Sequence, residues 1–343
     1  MDKTRKHVTP STPTIGPTGT APASTSRPTS TAPVGITPDR TAPAAPASTE
    51  PGETPQAYAA TRIPWNNIQN WAYWLDNPDL QQLAPSNFQL LVIDYSADGS
   101  AKRAFTAAQI NQLRQSGCQQ RRVVSYLSIG QAESYRGYWQ NAWRPGSPAW
   151  LGSADPHWDR NYWVHFWDPE WQHIIYHYLD SIIAAGFDGV YLDRVDAYQE
   201  DFAAGHEDDM VQFVMDIAHY ARAHSPLGED FGIIVQNAED LATDHDAYVR
   251  TVTGIGREEV YVHATNKPAS PGERSQAEQH LDLFRRNSRG QLVLTVDYAT
   301  SANLVSSAYQ QAQAKGYVPY VTTVGLNSLR VNPGYEPKCD ARR

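Results

Sequence analysis

The chain has 343 residues, two cysteines and a net charge of −9. That length suits one large domain or two ordinary ones. The acidic balance argues against nucleic acid as a partner, and no apolar run approaches the ~20 residues that a membrane span needs.

Residues 1–60 are dominated by Thr, Pro, Ser and Ala, with almost no large apolar side chain before Tyr58. Such a segment buries too little surface to offset an ordering entropy of about 1–2 kcal/mol per residue. It reads as a disordered low-complexity linker or stalk. It carries five basic and four acidic side chains, so residues 61–343 carry a net −10. No signal peptide is visible, because Pro and Thr follow the charged start where an apolar segment would stand. The Pro/Thr-rich stalk, ten Trp and two Cys still fit an exported protein, secreted or held at the cell surface. Cys118 and Cys339 are candidates either for a disulfide or for two buried thiols.

From Trp65 onward the pattern alternates. Trp71-Ala-Tyr-Trp-Leu is a short aromatic strand, and Gln89 to Tyr95 is a near-continuous apolar run ending in Asp94, as in a strand buried on both faces. Thr106 caps a helix that Gly117 ends. Arg122 to Gly130 is the third strand, with Gln131 and Glu133 beyond it. A long insertion, 134–169, follows. Seven of the ten Trp lie between Trp139 and Trp171, which marks it as something other than an ordinary polar loop. A helix from Glu170 stops at Gly186. The fourth strand then runs into Asp193 and Asp196. Asp208 to His224 is a helix with Met210, Phe213, Val214 and Ile217 on one face. Phe231 to Asn237 is the fifth strand, and Val252 to Gly256 the sixth, followed at once by Arg257, Glu258 and Glu259. A helix capped by Ser275 precedes the seventh strand, Gln291 to Tyr298. A helix from Ala302 to Lys315, closed by Gly316, leads to the eighth, which starts at Val318.

Eight strands alternating with helical segments predict an α/β fold, a (β/α)8 barrel over residues 61–343. An open doubly wound sheet is the alternative, but no glycine-rich phosphate loop follows the first strand.

Polar residues recur where strands end: Asp94 and Tyr95, Tyr126 with Glu133 beyond, Asp193 and Asp196, Asn237 and Glu239, Glu258, then Asp297 and Tyr298. In a barrel these ends share one face. A lone strand-end Asp often caps the next helix; acids at five strand ends, some in pairs, exceed what capping needs. Two carboxylates, one kept protonated and one ionised, suffice to cleave a glycosidic bond. Aromatic rings such as Tyr73, Trp74, Tyr191 and those of the insertion offer flat faces to sugars. A metal site is disfavoured, since the eleven His show no ligand spacing beyond His173 and His177 on a solvated helix face. No Gly-x-Ser-x-Gly elbow follows a strand, which disfavours a serine hydrolase.

Several stretches together resemble glycoside hydrolase family 114. They are Trp74 near the first strand, Leu-Val-Ile-Asp94-Tyr, Val-Ser-Tyr126-Leu-Ser-Ile-Gly, Phe-Asp-Gly-Val-Tyr-Leu-Asp193-Arg-Val-Asp196-Ala-Tyr, Gln-Asn237-Ala-Glu239 and Gly-Ile-Gly-Arg-Glu258. The resemblance runs in order from about Trp65 to Leu326. Where the family usually shows Gly-Glu after the third strand, this chain has Gln131-Ala-Glu133. The resemblance implies a TIM barrel that hydrolyses α-1,4-linked galactosamine-containing polysaccharide, an endo-α-1,4-polygalactosaminidase. It maps the acid of the fourth strand onto Asp193, as nucleophile or general base. It maps the acid after the sixth onto Glu258, as general acid, with Glu259 and Glu239 as alternatives. Asp94, Tyr95, Tyr126, Tyr73, Trp74, Asp196, Asn237, Glu239 and Asp297 are expected to bind the sugar or tune the acids. No cofactor is implied. The expected partner is a cationic amino-sugar polymer, which a −10 domain would attract, and the expected state is a monomer. Two other readings stay open: a non-catalytic polysaccharide-binding barrel, and a glycosidase acting on another amino-sugar or α-galactoside polymer.

Overall fold

The computed structural model describes residues 62–118, 120–263, 266–286 and 290–339. The segment read as a linker, residues 1–60, lies outside the described residues. Thirteen strands and seven α-helices are described; β10 (Val262–His263) and β11 (Lys267–Pro268) pair only with each other, antiparallel. Eight of the strands form one parallel sheet in the order β1 (Trp71–Trp74), β2 (Leu90–Ile93), β3 (Arg122–Ser128), β7 (Gly189–Asp193), β8 (Gly232–Gln236), β9 (Gly254–Glu258), β12 (Leu292–Tyr298) and β13 (Val318–Thr322). These are the eight strands expected from the sequence, in chain order. The sheet curls into a nearly closed (β/α)8 barrel. The two edge strands meet through side chain and loop: Trp71 Nε1 donates to Val318 O at 2.9 Å, and Leu75 N donates to Leu326 O at 2.9 Å.

Registered partners in a parallel sheet point the same way, so the pairing fixes which residues face the barrel axis. Tyr73↔Val92, Val92↔Val124, Tyr126↔Tyr191, Tyr191↔Ile234 and Gln236↔Gly256 share one face. On that face the next residues toward the strand ends are Asp94, Ser128, Asp193, Glu258 and Tyr298. Large rings share the middle of the barrel with the branched side chains of Val92, Val124 and Ile234. Trp71 lies 5.7 Å from Tyr73 and 5.8 Å from Tyr320, and Tyr73 lies 5.2 Å from Tyr191, centroid to centroid. Rings this large need gaps opposite them. Gly256 supplies one, since a side chain there would collide with the Tyr191 hydroxyl.

The helices that pack outside follow local signals. Thr106 and Gln109 form a capping box for Ala107–Gln115. Asp168 caps Pro169–Ala184, with Pro169 in the first turn. Gly316, at φ 71°, closes Ala302–Lys315. One start differs from expectation. The helix before β12 spans Pro271–Arg286 and begins ahead of Ser275. Ser270 caps it instead: Glu273 N donates to Ser270 Oγ at 3.3 Å, and Ser270 N to Glu273 Oε2 at 2.9 Å.

The insertion is a small domain-like layer, not a loop. β4 (Gln131–Glu133), β6 (Asn161–Val164) and β5 (Leu151–Ala154) form an antiparallel sheet in that order. Its tryptophans pack on one another: Trp139 on Trp143 at 5.4 Å, Trp143 on Trp150 at 4.9 Å, and Trp150 on Trp171 at 5.1 Å. Trp150 and Trp171 are fully buried. Most of this tryptophan cluster is therefore the insertion's own core. Cys118 and Cys339 are bonded, a link across 221 residues that ties the C-terminal tail to the barrel floor. No helix among the described residues is long and apolar enough to cross a membrane.

Candidate active site

Asp193 ends β7 and Glu258 ends β9, with β8 between them. Both stand on the axis-facing side of the same rim. Two strand spacings separate their backbones by about 10 Å laterally, before the side chains lean inward. Each is half-buried. Asp193 accepts from the Tyr126 hydroxyl at 2.6 Å and from Arg194 N at 2.8 Å. Glu258 accepts from Gln236 Nε2 at 2.7 Å and Asn237 Nδ2 at 3.2 Å on one oxygen, and from the Tyr298 hydroxyl on the other.

The supporting contacts orient these donors. The Tyr73 hydroxyl donates to Gln236 Oε1 at 2.9 Å, which turns the amide N–H toward Glu258. Asn237 Oδ1 accepts from Glu258 N at 3.2 Å, so the asparagine grips both ends of that residue. Burial and nearby acids push the phenols of Tyr73, Tyr126 and Tyr298 up, so all three stay neutral donors at physiological pH. Burial pushes Asp193 up to about 7; Arg194 opposes that, Glu258 and Asp196 add to it, and the Tyr126 hydrogen bond opposes it. The influence of Glu258 shows that the two carboxylates feel one another across the rim.

The strands that bring these groups to the rim turn sharply there. Arg194 (φ 61°), Asn237 (59°), Ala238 (54°) and Glu259 (59°) adopt left-handed backbone without being glycine. Each such residue costs on the order of 1 kcal/mol, and strained positions of this kind gather at functional sites.

The remaining expected residues fall into two groups. Tyr73, Tyr126, Asp196, Asn237 and Glu239 surround the two carboxylates. Asp196 is half-buried one turn beyond Asp193, and its charge reaches Asp193, Arg194 and Arg257. Glu239 pairs with Arg257 at 2.7 Å. Glu259 turns the other way from Glu258: its charge acts on Asp297, and its carboxylate lies 3.6 Å from His263.

Four residues have other partners. Asp94 faces the axis but is held by Arg136 at 2.7 Å, which also grips Glu133 at 2.5 Å. Trp74, Tyr95 and Asp297 lie on or beyond the outward side of their strands. Trp74 Nε1 donates to Asp76 O at 2.9 Å. Tyr95 packs edge-on against Tyr178 at 4.9 Å. Asp297 Oδ1 accepts from Tyr261 N at 2.7 Å and Val262 N at 2.8 Å, which fixes the loop after β9.

Gln236, Arg194, Arg257 and Arg136 were not singled out from the sequence. Gln236 had a signal: it lies two residues beyond Ile234 on the Tyr191-facing side, the only polar side chain of its strand. The three arginines had none for their long-range partners, Asp94 for Arg136, Asp155 for Arg194 and Glu239 for Arg257.

The rim holds Asp155, Asp193, Asp196, Glu200, Glu239 and Glu258 against Arg194 and Arg257, an acidic excess suited to a cation. A separate cleft of about 900 Å³ opens at the opposite mouth, lined by Asn67, Gln69, Gln120 and the tail residues Tyr335 and Lys338. It contains none of these acids.

Comparison with known proteins places the chain in a family and supports the barrel fold. An uncharacterized protein of Deinococcus radiodurans is 38% identical over 295 residues, 84% of this chain and 92% of its own length. The glycoside hydrolase domain of PelA from Pseudomonas aeruginosa superposes with a TM-score of 0.57 at 16% identity, covering 77% of this chain and 98% of that domain. Ega3 of Aspergillus fumigatus, solved in complex with galactosamine, superposes with a TM-score of 0.57 at 19% identity, covering 77% and 94%. The sequence profile of glycoside-hydrolase family GH114 matches residues 52–338, and the chain belongs to that family of glycosidases.

Proposed function

We propose that this glycosidase is an endo-acting enzyme that cleaves α-1,4-linked galactosamine-containing polysaccharide, with Asp193 and Glu258 as its two carboxylates. The observation that carries the reading is their placement: two axis-facing acids on one acidic rim, each held by aimed hydroxyl and amide donors. The galactosamine bound to the structurally similar Ega3 supports the choice of sugar. In this proposal Asp193 attacks the anomeric carbon, or activates the water that does, and Glu258 protonates the leaving oxygen.

The free site leaves Asp193 only partly ionised near neutral pH. Asp193 is the carboxyl raised to about 7, while Glu258 accepts three side-chain hydrogen bonds. A cationic sugar entering beside Asp193 favours its ionised form. It thereby arms Asp193 for attack or for activating water. On this reading the substrate's own charge favours the ionised Asp193 that catalysis needs. The disulfide fits the proposal that the protein works outside the cytosol, secreted or at the cell surface.

The test compares one polymer in two states. Partially de-acetylated galactosamine polymer should release reducing ends steadily, and the fully N-acetylated polymer far more slowly. Equal rates on both would defeat the charge argument. Binding without release would leave a polysaccharide-binding barrel, and release only from an α-galactoside would reassign the substrate.

A further inference from the structure

Phe202 sits in the 3-10 turn Asp201–Ala203, just beyond the segment that leaves the rim after Asp193. Its ring is 38% exposed, and Val331 is the other exposed large hydrophobic among the described residues. Burying a Phe side chain is worth about 1.5–3 kcal/mol, yet single exposed apolar residues are common. Exposure alone therefore says little; the setting of this ring says more.

One side of Phe202 rests on a rigid aromatic stack. Its centroid lies 5.7 Å from Trp163, 6.2 Å from His165 and 6.4 Å from Trp167. Trp167 is itself held between His165, 4.9 Å away and 13° from parallel, and His206, 3.5 Å away and 4° from parallel. Those faces are occupied, whereas the outer side of Phe202 meets water. The stack is continuous with the catalytic rim. The Arg194 guanidinium lies 4.3 Å over the Trp163 ring, and Arg194 N donates to Asp193 at 2.8 Å. Acids accompany the ring. Glu200 and Asp201 immediately precede it, and the Glu200 carboxyl is raised by burial, opposed by Arg194, and raised further by Asp196, Asp155 and Asp201.

A buttressed ring with one open side, flanked by carboxylates, is complementary to a particular kind of ligand. That ligand has a flat C–H face for the ring and a cationic edge for the acids and the aromatic quadrupole. An amino-sugar unit has both. We propose that Phe202 is the platform of an outlying subsite of the cleft, where an amino-sugar unit several residues from the cleaved bond stacks with its ammonium toward Glu200 and Asp201. The proposal rests on the function argued above and extends it: this subsite makes the enzyme favour long chains over short ones.

The experiment compares wild type, Phe202→Ala and Phe202→Trp on the de-acetylated polymer and on a short oligomer that spans only the central acids. Binding of the polymer to each Phe202 variant in an Asp193→Asn background supplies a second readout. Phe202→Ala should raise the polymer KM about 3- to 10-fold, with kcat and the short-oligomer constants unchanged. It should weaken polymer binding by the same factor, and Phe202→Trp should restore both. Unchanged polymer KM and affinity in Phe202→Ala would overturn the subsite while leaving the function intact. An equal loss on the short oligomer would also overturn it, as damage to the rim. A wild type that neither binds nor cleaves the polymer would overturn the function and the subsite together.

Discussion

Asp188 and Asp193 flank one strand, five residues apart, and live in opposite electrostatic worlds. Asp188 stands at the floor of the barrel, fully buried, and is saturated with donors: Arg62 Nε at 2.5 Å, Arg114 Nε at 3.0 Å and Val123 N at 2.8 Å. Asp193 stands at the rim with no guanidinium in contact. One phenol and one backbone N–H serve it, and other acids crowd it. The floor repeats its logic at Arg122, which grips Asp230 at 2.9 Å. A carboxylate gripped by guanidinium groups is held in place and holds structure together. A carboxylate left among its own kind, with its ionisation balanced near neutrality, can exchange a proton. That difference separates the structural end of this barrel from its reactive end.

The comparison can be broken by removing each charge in turn. Asp188→Asn should cost about 3–5 kcal/mol of stability, because two buried guanidinium groups lose their counter-charge. Chemical denaturation would read this, and the activity of the molecules that remain folded should match wild type. Cutting the Cys118–Cys339 link with Cys339→Ser should cost about 2–5 kcal/mol by freeing a 221-residue loop in the unfolded chain, again without touching the chemistry.

Changes at the rim should behave in the opposite way. Burial holds the folded-state pKa of Asp193 at about 7, above the usual 3.8. Ionising it therefore opposes folding. That cost is absent below the unfolded value and complete above about 7. Asp193→Asn should accordingly raise Tm at pH 8, by about 2 °C or more, and leave it unchanged at pH 4. In kinetics, kcat/KM reports the free enzyme and should fall as pH drops below about 7, where Asp193 takes up its proton. The limb in kcat should lie lower, since bound cationic sugar favours the ionised acid. Tyr126→Phe gives the smallest effect. It removes a hydrogen bond that lowers the Asp193 pKa, so the kcat/KM limb should move up by about 1 pH unit. A limb that stayed in place would detach Tyr126 from the chemistry.

Much of this architecture is legible in the sequence because parallel strands buried on both faces write near-continuous apolar runs, and helices between them carry capping residues. The same property hides which side of a strand faces the axis. In β7 the alternation of Val190 and Leu192 with Tyr191 and Asp193 is readable, and Asp193 falls where it implies. In β1 both sides are apolar or aromatic, so nothing in Trp-Ala-Tyr-Trp tells that Tyr73 turns inward while Trp74 does not; in β12 the polar side, Thr295 and Asp297, is the one that turns outward, while Tyr298 faces the axis. The tryptophans of the insertion mislead for a related reason. A small three-stranded sheet laid against the barrel needs large rings to bury enough surface, and composition alone does not separate a core of rings from a binding platform. Contacts such as Arg136 to Asp94, or Gln236 to Glu258, depend on which segments the fold brings side by side and have no local signature.

The central claim is that Asp193 and Glu258 together cleave the amino-sugar polymer. Reducing-end release from partially de-acetylated galactosamine polymer by wild type, Asp193→Asn and Glu258→Gln tests it most directly, with circular dichroism confirming that all three are folded. Wild type should release ends, and each variant should be slower by about 10²–10⁴-fold. Equal release by all three proteins would contradict the claim.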